Sequence, residues 1–282
     1  MGTRRPQAAG FYRSECDPAR IERYVAGFVP PAEPARPVAG VVPHAGWQYS
    51  GAVAAKVFRT LQAKGNPRTF VLLGAVHRWG VDRNAVYASG AWETPLGPVE
   101  VDEPLARELL RRFPSHLAED PEAHQGEHSL EVQVPFLRYF FPRAKIVPIA
   151  VPPGPGAVPL GEGLGRALAG RDDAVVIGST DLTHYGAPYG FAPAGVGPDA
   201  QDWMRQNDAR MLALVTALRA EEIVAEARAH HNACGYGALA AAVAAARTLG
   251  APRGVLLEYT TSHDVAGERR FEMAVGYAGV VF

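Results

Sequence analysis

Short unbroken apolar runs recur along the chain, separated by longer stretches in which apolar positions return at helical spacing. The runs are Val38–Val42, Thr69–Leu73, Lys145–Val151, Ala174–Ile177, Gly254–Tyr259 and Met273–Phe282. Runs of this length, rich in Val, Ile and Leu, suit strands covered on both faces, as in a mainly parallel sheet. Between them the pattern predicts helices over Gly51–Ala63, Pro104–Phe113, Ser129–Phe140, Pro159–Ala169, Gln201–Arg219 and the Ala-rich Gly235–Leu249. Strand and helix alternate, which implies an α/β fold with a central, mainly parallel sheet flanked by helices. Gly and Pro concentrate in Val151–Gly156 and Gly186–Pro198, which read as loops. Strand-like runs lie on both sides of each, so residues 1–282 are expected to form a single domain.

Charge and composition narrow the function. Lys and Arg number 28 against 29 for Asp and Glu, a net charge of -1. There is no basic excess of the kind that neutralises a phosphate backbone, which argues against nucleic acid. No apolar run reaches the roughly 20 residues needed to cross a bilayer, and the basic N-terminus has no apolar segment behind it. A cytoplasmic protein without membrane contact is expected. Two cysteines, Cys16 and Cys234, are too few for a disulfide framework at this size and are expected to be reduced thiols.

Polar residues cluster at the ends of three apolar runs. The first leads into Pro43-His44-Ala-Gly, the second into Gly74-Ala-Val-His77, and the fourth into Ser179-Thr-Asp181-Leu-Thr-His184. In open α/β sheets sites form at the carboxyl ends of strands, where the loops splay apart. A single histidine after a strand is more often a hydrogen-bonded loop residue than a ligand; three in one structural position favour a site. Cys234, in Asn232-Ala-Cys-Gly235 just before the Ala-rich helix, should lie at a helix N-terminus. There the macrodipole would favour a thiolate, with Asn232 as the cap. Against this stands the commoner fate of a free cysteine, a small buried hydrophobe. Two imidazoles and a thiolate, His44, His77 and Cys234, form a borderline-soft donor set suited to iron, copper or zinc, and three protein ligands leave positions open for chemistry.

Other clusters carry less. His124-Gln-Gly-Glu-His128 spaces two histidines four apart, but the glutamate does not follow the first and Gly126 disfavours one helix through both, so a zincin-type protease is rejected. His128 and Glu131 are candidates to face the cleft and touch substrate, with a helix-capping network as the equal alternative. Tyr49 is a candidate cleft-lining phenol against ordinary packing. His263 is expected in a solvated loop, and His116, His230 and His231 at the surface.

Taken in order and register, Pro43-His-Ala-Gly-Trp-Gln-Tyr-Ser-Gly51, Gly126-Glu-His-Ser-Leu-Glu131, Ser179-Thr-Asp-Leu-Thr-His-Tyr185 and Asn232-Ala-Cys-Gly235 resemble the Memo family. Its bacterial and archaeal members are called AmmeMemoRadiSam system protein B. The resemblance runs from Ala9-Gly-Phe-Tyr12 to the C-terminal strand. It implies a fold similar to class III extradiol dioxygenases, which hold iron(II) with two histidines and a glutamate. His44 and His77 match the two histidine ligands, Cys234 stands where the carboxylate would be, and His184 matches the acid/base histidine with Asp181 beside it. The cysteine is the departure that matters: a thiolate donates more charge and is itself oxidisable, so ring cleavage does not carry over directly.

The expectation is therefore a redox or oxygen-handling enzyme using iron(II), or else copper or zinc, on His44, His77 and Cys234, with His184 as acid/base oriented by Asp181. A non-catalytic module that captures a peptide or small ligand in the same cleft is the alternative. A metal-free thiol enzyme with Cys234 as nucleophile is a third. The resemblance also implies partnership with AMMECR-type and radical S-adenosylmethionine proteins.

Overall fold

The computed structural model describes residues 2–282. Its strands are β1 (Thr3–Arg4), β2 (Ala39–Val42), β3 (Thr69–Gly74), β4 (Asn84–Val86), β5 (Ala91–Trp92), β6 (Val99–Glu100), β7 (Leu117–Glu119), β8 (Lys145–Ala150), β9 (Ala174–Ser179), β10 (His184–Tyr185), β11 (Val255–Thr261) and β12 (Ala274–Val281). The helices are α1 (Pro18–Tyr24), α2 (Trp47–Lys64), α3 (Glu103–Arg112), α4 (Val134–Phe140), α5 (Ala157–Leu168), α6 (Pro198–Thr216), α7 (Ala220–His230), α8 (Tyr236–Thr248) and α9 (Ser262–Ala266). All six predicted strands form.

The main sheet has nine strands in the order β10-β12-β2-β9-β3-β8-β4-β7, with β11 hydrogen-bonded to the other side of β12. Its centre, β2-β9-β3-β8, is parallel throughout, and β12 runs antiparallel beside β2. Period-2 alternation explains the unbroken apolar runs. Val71, Leu73 and Val176 enter the core on one face, whereas Phe70, Leu72, Val175 and Ile177 enter the core on the other. Both faces are covered, so the middle of each central strand is apolar, and buried polar side chains such as Thr69 and Ser179 occur only at strand ends, where each finds a hydrogen-bond partner.

One face is covered by α2 and α4, the other by α5 and α8. The Ala-rich composition of α8 follows from its position: Ala238 to Ala246 are all buried between the sheet and α5. At Gly161 in α5 an added Cβ would collide with the Ala241 carbonyl, so the two helices approach at backbone distance. Small residues on both are what permit this packing.

Several boundaries differ from expectation. The helix predicted from Ser129 starts as a 3-10 turn at Glu131–Gln133 and becomes α-helical only at Val134. The predicted Gln201–Arg219 helix stops at Thr216, because Leu218 adopts φ 57° and turns the chain into α7. The sequence pattern also missed α1, α7 and the short pairs β4-β7 and β1-β5-β6, whose two- or three-residue strands are too short to show periodicity.

Candidate metal centre

Strand order places the site. β2, β9 and β3 are adjacent and parallel, so His44, Asp181 and His77, each two or three residues past its strand, emerge on the same edge. Cys234 arrives from the other side, two residues before α8, held by the hydrogen bond from its amide to the Asp181 carbonyl. Gly235 between them must be glycine-sized: a Cβ there would collide with the Ser179 carbonyl. One donor atom from each of His44, His77 and Cys234 lies within 4.8 Å of the others. Cys234 Sγ approaches His44 Nε2 to 3.1 Å.

The outer hydrogen bonds set the tautomers. Ser179 Oγ donates to the Ser129 carbonyl at 2.8 Å, so it must accept from His44 Nδ1 at 3.0 Å. His77 Nδ1 donates to Glu127 Oε1 at 3.1 Å. Each imidazole therefore keeps its lone pair on Nε2, the arrangement typical of metal-binding histidines. Burial and the neighbouring His77 and His128 hold His44 well below the usual imidazole range, so it is neutral. Burial depresses His77 too, but the hydrogen bond and charge of Glu127 outweigh it and raise its pKa.

Cys234 corrects one expectation. It does lie at a helix N-terminus, yet burial and the nearby Asp181 push its thiol up, outweighing the lowering contact from the Asp181 amide, which donates to Sγ at 3.3 Å. The thiol proton is then shared towards His44 Nε2, and a bound cation would displace it. Nor does Asn232 cap α8: Gly235 occupies that position, while Asn232 donates to the Asn207 carbonyl and to Glu226.

His184 and Cys234 line one cavity of about 250 Å³, together with Leu182, Ala227, Arg228, His231, Ala233 and Tyr236. His184 Nδ1 donates to the Leu182 carbonyl at 3.2 Å, which leaves Nε2 as the basic nitrogen. Asp181 does not orient it by a hydrogen bond, contrary to expectation. Its Oδ1 instead accepts the His44 amide at 2.7 Å, and its Oδ2 lies 3.9 Å from His44 Nε2. Burial raises the Asp181 pKa, against the lowering effect of His184 and the His44 amide.

Of the expected cleft residues, His128 is present. Its ring stacks on His77 at 4.7 Å and on Phe11 at 4.5 Å, and crosses His44 at 5.2 Å. Glu131 is not. It is 2% exposed and its carboxylate is used by Arg4 Nη1 at 2.6 Å, the Gln7 and Ala8 amides and the Tyr12 hydroxyl. It ties the N-terminal segment to the body of the protein. Tyr49 lies in a neighbouring pocket with Tyr189, His263 and Tyr277. His263 is buried in α9 where a solvated loop was expected.

A second group, His77, Glu127 and His128, also brings its donor atoms within 4.8 Å. Glu127 is committed elsewhere. Besides His77 Nδ1 it accepts the amides of His77, His128 and Ser129, and these contacts with His77 and the amides overcome burial and hold it well below the usual carboxylate range. Its role as the orienting partner of His77 was missed in the sequence, because nothing local marks it as that histidine's partner. Gly126, with φ 69°, breaks any helix between His124 and His128, as the spacing implied.

The model of the family described as "Memo-like protein" matches residues 4–281. A MEMO1 family protein of Thermococcus kodakarensis is 39% identical over 93% of this chain and 92% of its own. One from Methanothermobacter thermautotrophicus is 38% identical over 98% of both chains. The crystal structure of an uncharacterized Escherichia coli K12 protein, JW3007, superposes with a TM-score of 0.55 at 13% identity, covering 88% of this chain and all of that one, a likeness of fold alone. An α/β protein with a histidine–cysteine cluster at the carboxyl edge of its sheet is thus placed among relatives of the same length. The chain belongs to the Memo family.

Proposed function

We propose that this protein is a metal-dependent redox or oxygen-handling enzyme whose metal is held by His44 Nε2, His77 Nε2 and Cys234 Sγ. The observation that carries this is the pair of fixed tautomers: Ser179 and Glu127 each engage Nδ1, so both Nε2 lone pairs are available where Cys234 converges. With metal–nitrogen bonds of about 2.0–2.1 Å and a metal–sulfur bond of about 2.3 Å, donors at tetrahedral angles stand about 3.3–3.6 Å apart. This lies between the 3.1 Å Cys234–His44 approach and the 4.8 Å that bounds all three donors, so side-chain adjustment of about an ångström closes the set. The donor set accepts iron(II), copper or zinc; iron(II) is preferred because the family resemblance matches His44 and His77 to iron ligands. Such a metal supplies an open coordination position and, for iron or copper, electrons.

The chain's own residues supply the rest. Neutral His44 can bind without first losing a proton, and Asp181 offsets the charge of the metal once Cys234 is deprotonated. His184, in the same cavity as Cys234, takes or returns a proton at Nε2. A module that only captured ligands would have no use for that imidazole, which is why catalysis is preferred. Association with AMMECR-type and radical S-adenosylmethionine proteins is carried over from the family.

Protein purified without air tests this. The wild type should contain stoichiometric iron or copper and consume oxygen with a catechol or a reductant, and Cys234→Ser should lose the metal. A wild type that takes up no metal under any loading condition would overturn the proposal. An intact metal site with ligand binding but no turnover would support the module instead.

A further inference from the structure

The cavity that Cys234 and His184 share has a charge pattern the metal does not require. Its outer wall carries Arg228 and His231, and no carboxylate is among its lining residues. Elsewhere on the surrounding helices arginines are paired: Arg205 with Asp264, Arg210 with Glu226, Arg219 with Glu222 and Arg247 with Glu221. Arg228 has no ion pair or hydrogen bond among the described residues. It sits in the last turn of α7, where the helix dipole favours a cation without any acid beside it.

His231 adds an independent observation. It is the residue after α7 and adopts a left-handed φ of 52°, a position that glycine commonly fills because other side chains are strained there. A histidine stands there nonetheless, its ring 5.0 Å from that of Phe191. Tyr236, the first residue of α8, contributes a half-buried phenol to the same wall.

Given the metal reading above, on which this rests, we infer that Arg228, with His231 and Tyr236, binds the anionic end of a small organic substrate whose other end reaches Cys234. The chemistry they recognise is a carboxylate or a phosphate ester: a guanidinium presents paired N–H donors to either. At about 250 Å³ the cavity falls below the roughly 300–1,000 Å³ of sites that enclose drug-sized ligands. It suits a small acid in preference to a peptide.

Calorimetric titration of the purified protein with benzoate, phenyl phosphate and neutral benzamide tests the assignment, with metal content measured on each preparation. The wild type should bind at least one of the anions, about tenfold or more tighter than benzamide, and the tighter anion identifies the substrate class. Arg228→Gln should weaken that anion about tenfold or more, and Arg228→Lys should recover part of the loss, since charge returns without the fork. Arg171→Gln, at the opposite edge of the sheet before β9, should behave as wild type. Equal binding of benzamide and the anions, anion affinity unchanged in folded Arg228→Gln, or no binding of either anion would each overturn the proposal. If the wild type takes up no metal under any loading condition and its anion binding still needs Arg228, the metal assignment falls and the anion subsite stands.

Discussion

Replacing Glu131 with alanine should be among the most damaging single changes in the molecule, although the residue touches neither Cys234 nor the imidazoles. Its carboxylate pairs with Arg4 at 2.6 Å with both side chains 2% exposed, and it also accepts from the amides of Gln7 and Ala8 and the Tyr12 hydroxyl. Removing it leaves the Arg4 guanidinium buried, with only carbonyl contacts to His124 and Glu127 and its place over Trp92. Breaking a buried pair in this way costs about 3–5 kcal/mol. The stranded amides and hydroxyl add to the loss, limited by how far the segment can peel away to water. That release would carry Phe11 off the ring of His128. Urea unfolding of Glu131→Ala and of the double variant Arg4→Met, Glu131→Gln measures both terms. The double variant should be less destabilised than the sum of its single changes, because no unpaired charge remains. Limited proteolysis should cut near residues 5–10 in Glu131→Ala before global unfolding. A loss below about 1 kcal/mol for Glu131→Ala, the size of an ordinary surface change, would refute the clamp.

Ser179→Ala and Glu127→Gln should each weaken metal binding by about 10–100-fold, read by competition with a chelator, because they release the Nδ1 atoms that orient His44 and His77. His184→Ala should keep its metal and lose about 10²–10⁴ in turnover, whereas His44→Ala should lose both; full turnover in His184→Ala would remove its acid/base role. Burial raises Asp208 from 3.8 to about 6, against hydrogen bonds from Thr183 and Tyr259. The folded state therefore binds more protons than the unfolded chain between about pH 4 and 6, and stability falls as pH rises through that window, by at most about 3 kcal/mol. Asp208→Asn should flatten this dependence in denaturant titrations, and an identical pH profile in the two proteins would show that Asp208 does not titrate there. Gly161→Val should destabilise by roughly 1–3 kcal/mol or more, since its Cβ meets the Ala241 backbone; a neutral result in thermal unfolding would mean that α5 can move away from α8.

The sequence by itself determined the layers and the direction of the site. Two-sided burial keeps the middle of the central strands apolar and leaves polar residues only at their ends, so Thr69–Leu73 and Ala174–Ile177 announced themselves as apolar runs, and the residues directly after them were bound to share an edge if the strands were parallel. The Memo motifs were equally legible, because they are contiguous. What tertiary structure decided was everything set by strand order and by contacts between distant segments. Nothing local to Asp181 says that β9 is inserted between β2 and β3, which makes it a neighbour of the His44 amide and turns it away from hydrogen-bonding His184. Nothing local to Glu127 or Glu131 says which histidine or arginine each will meet, 50 and 127 residues away. Burial, likewise a property of the assembled layers, overrode the helix N-terminus at Cys234 and raised a thiol that local sequence implied would be lowered. Periodicity reports which way a side chain faces relative to its own strand or helix; the identity of the group it faces is set only when the sheet closes the distance.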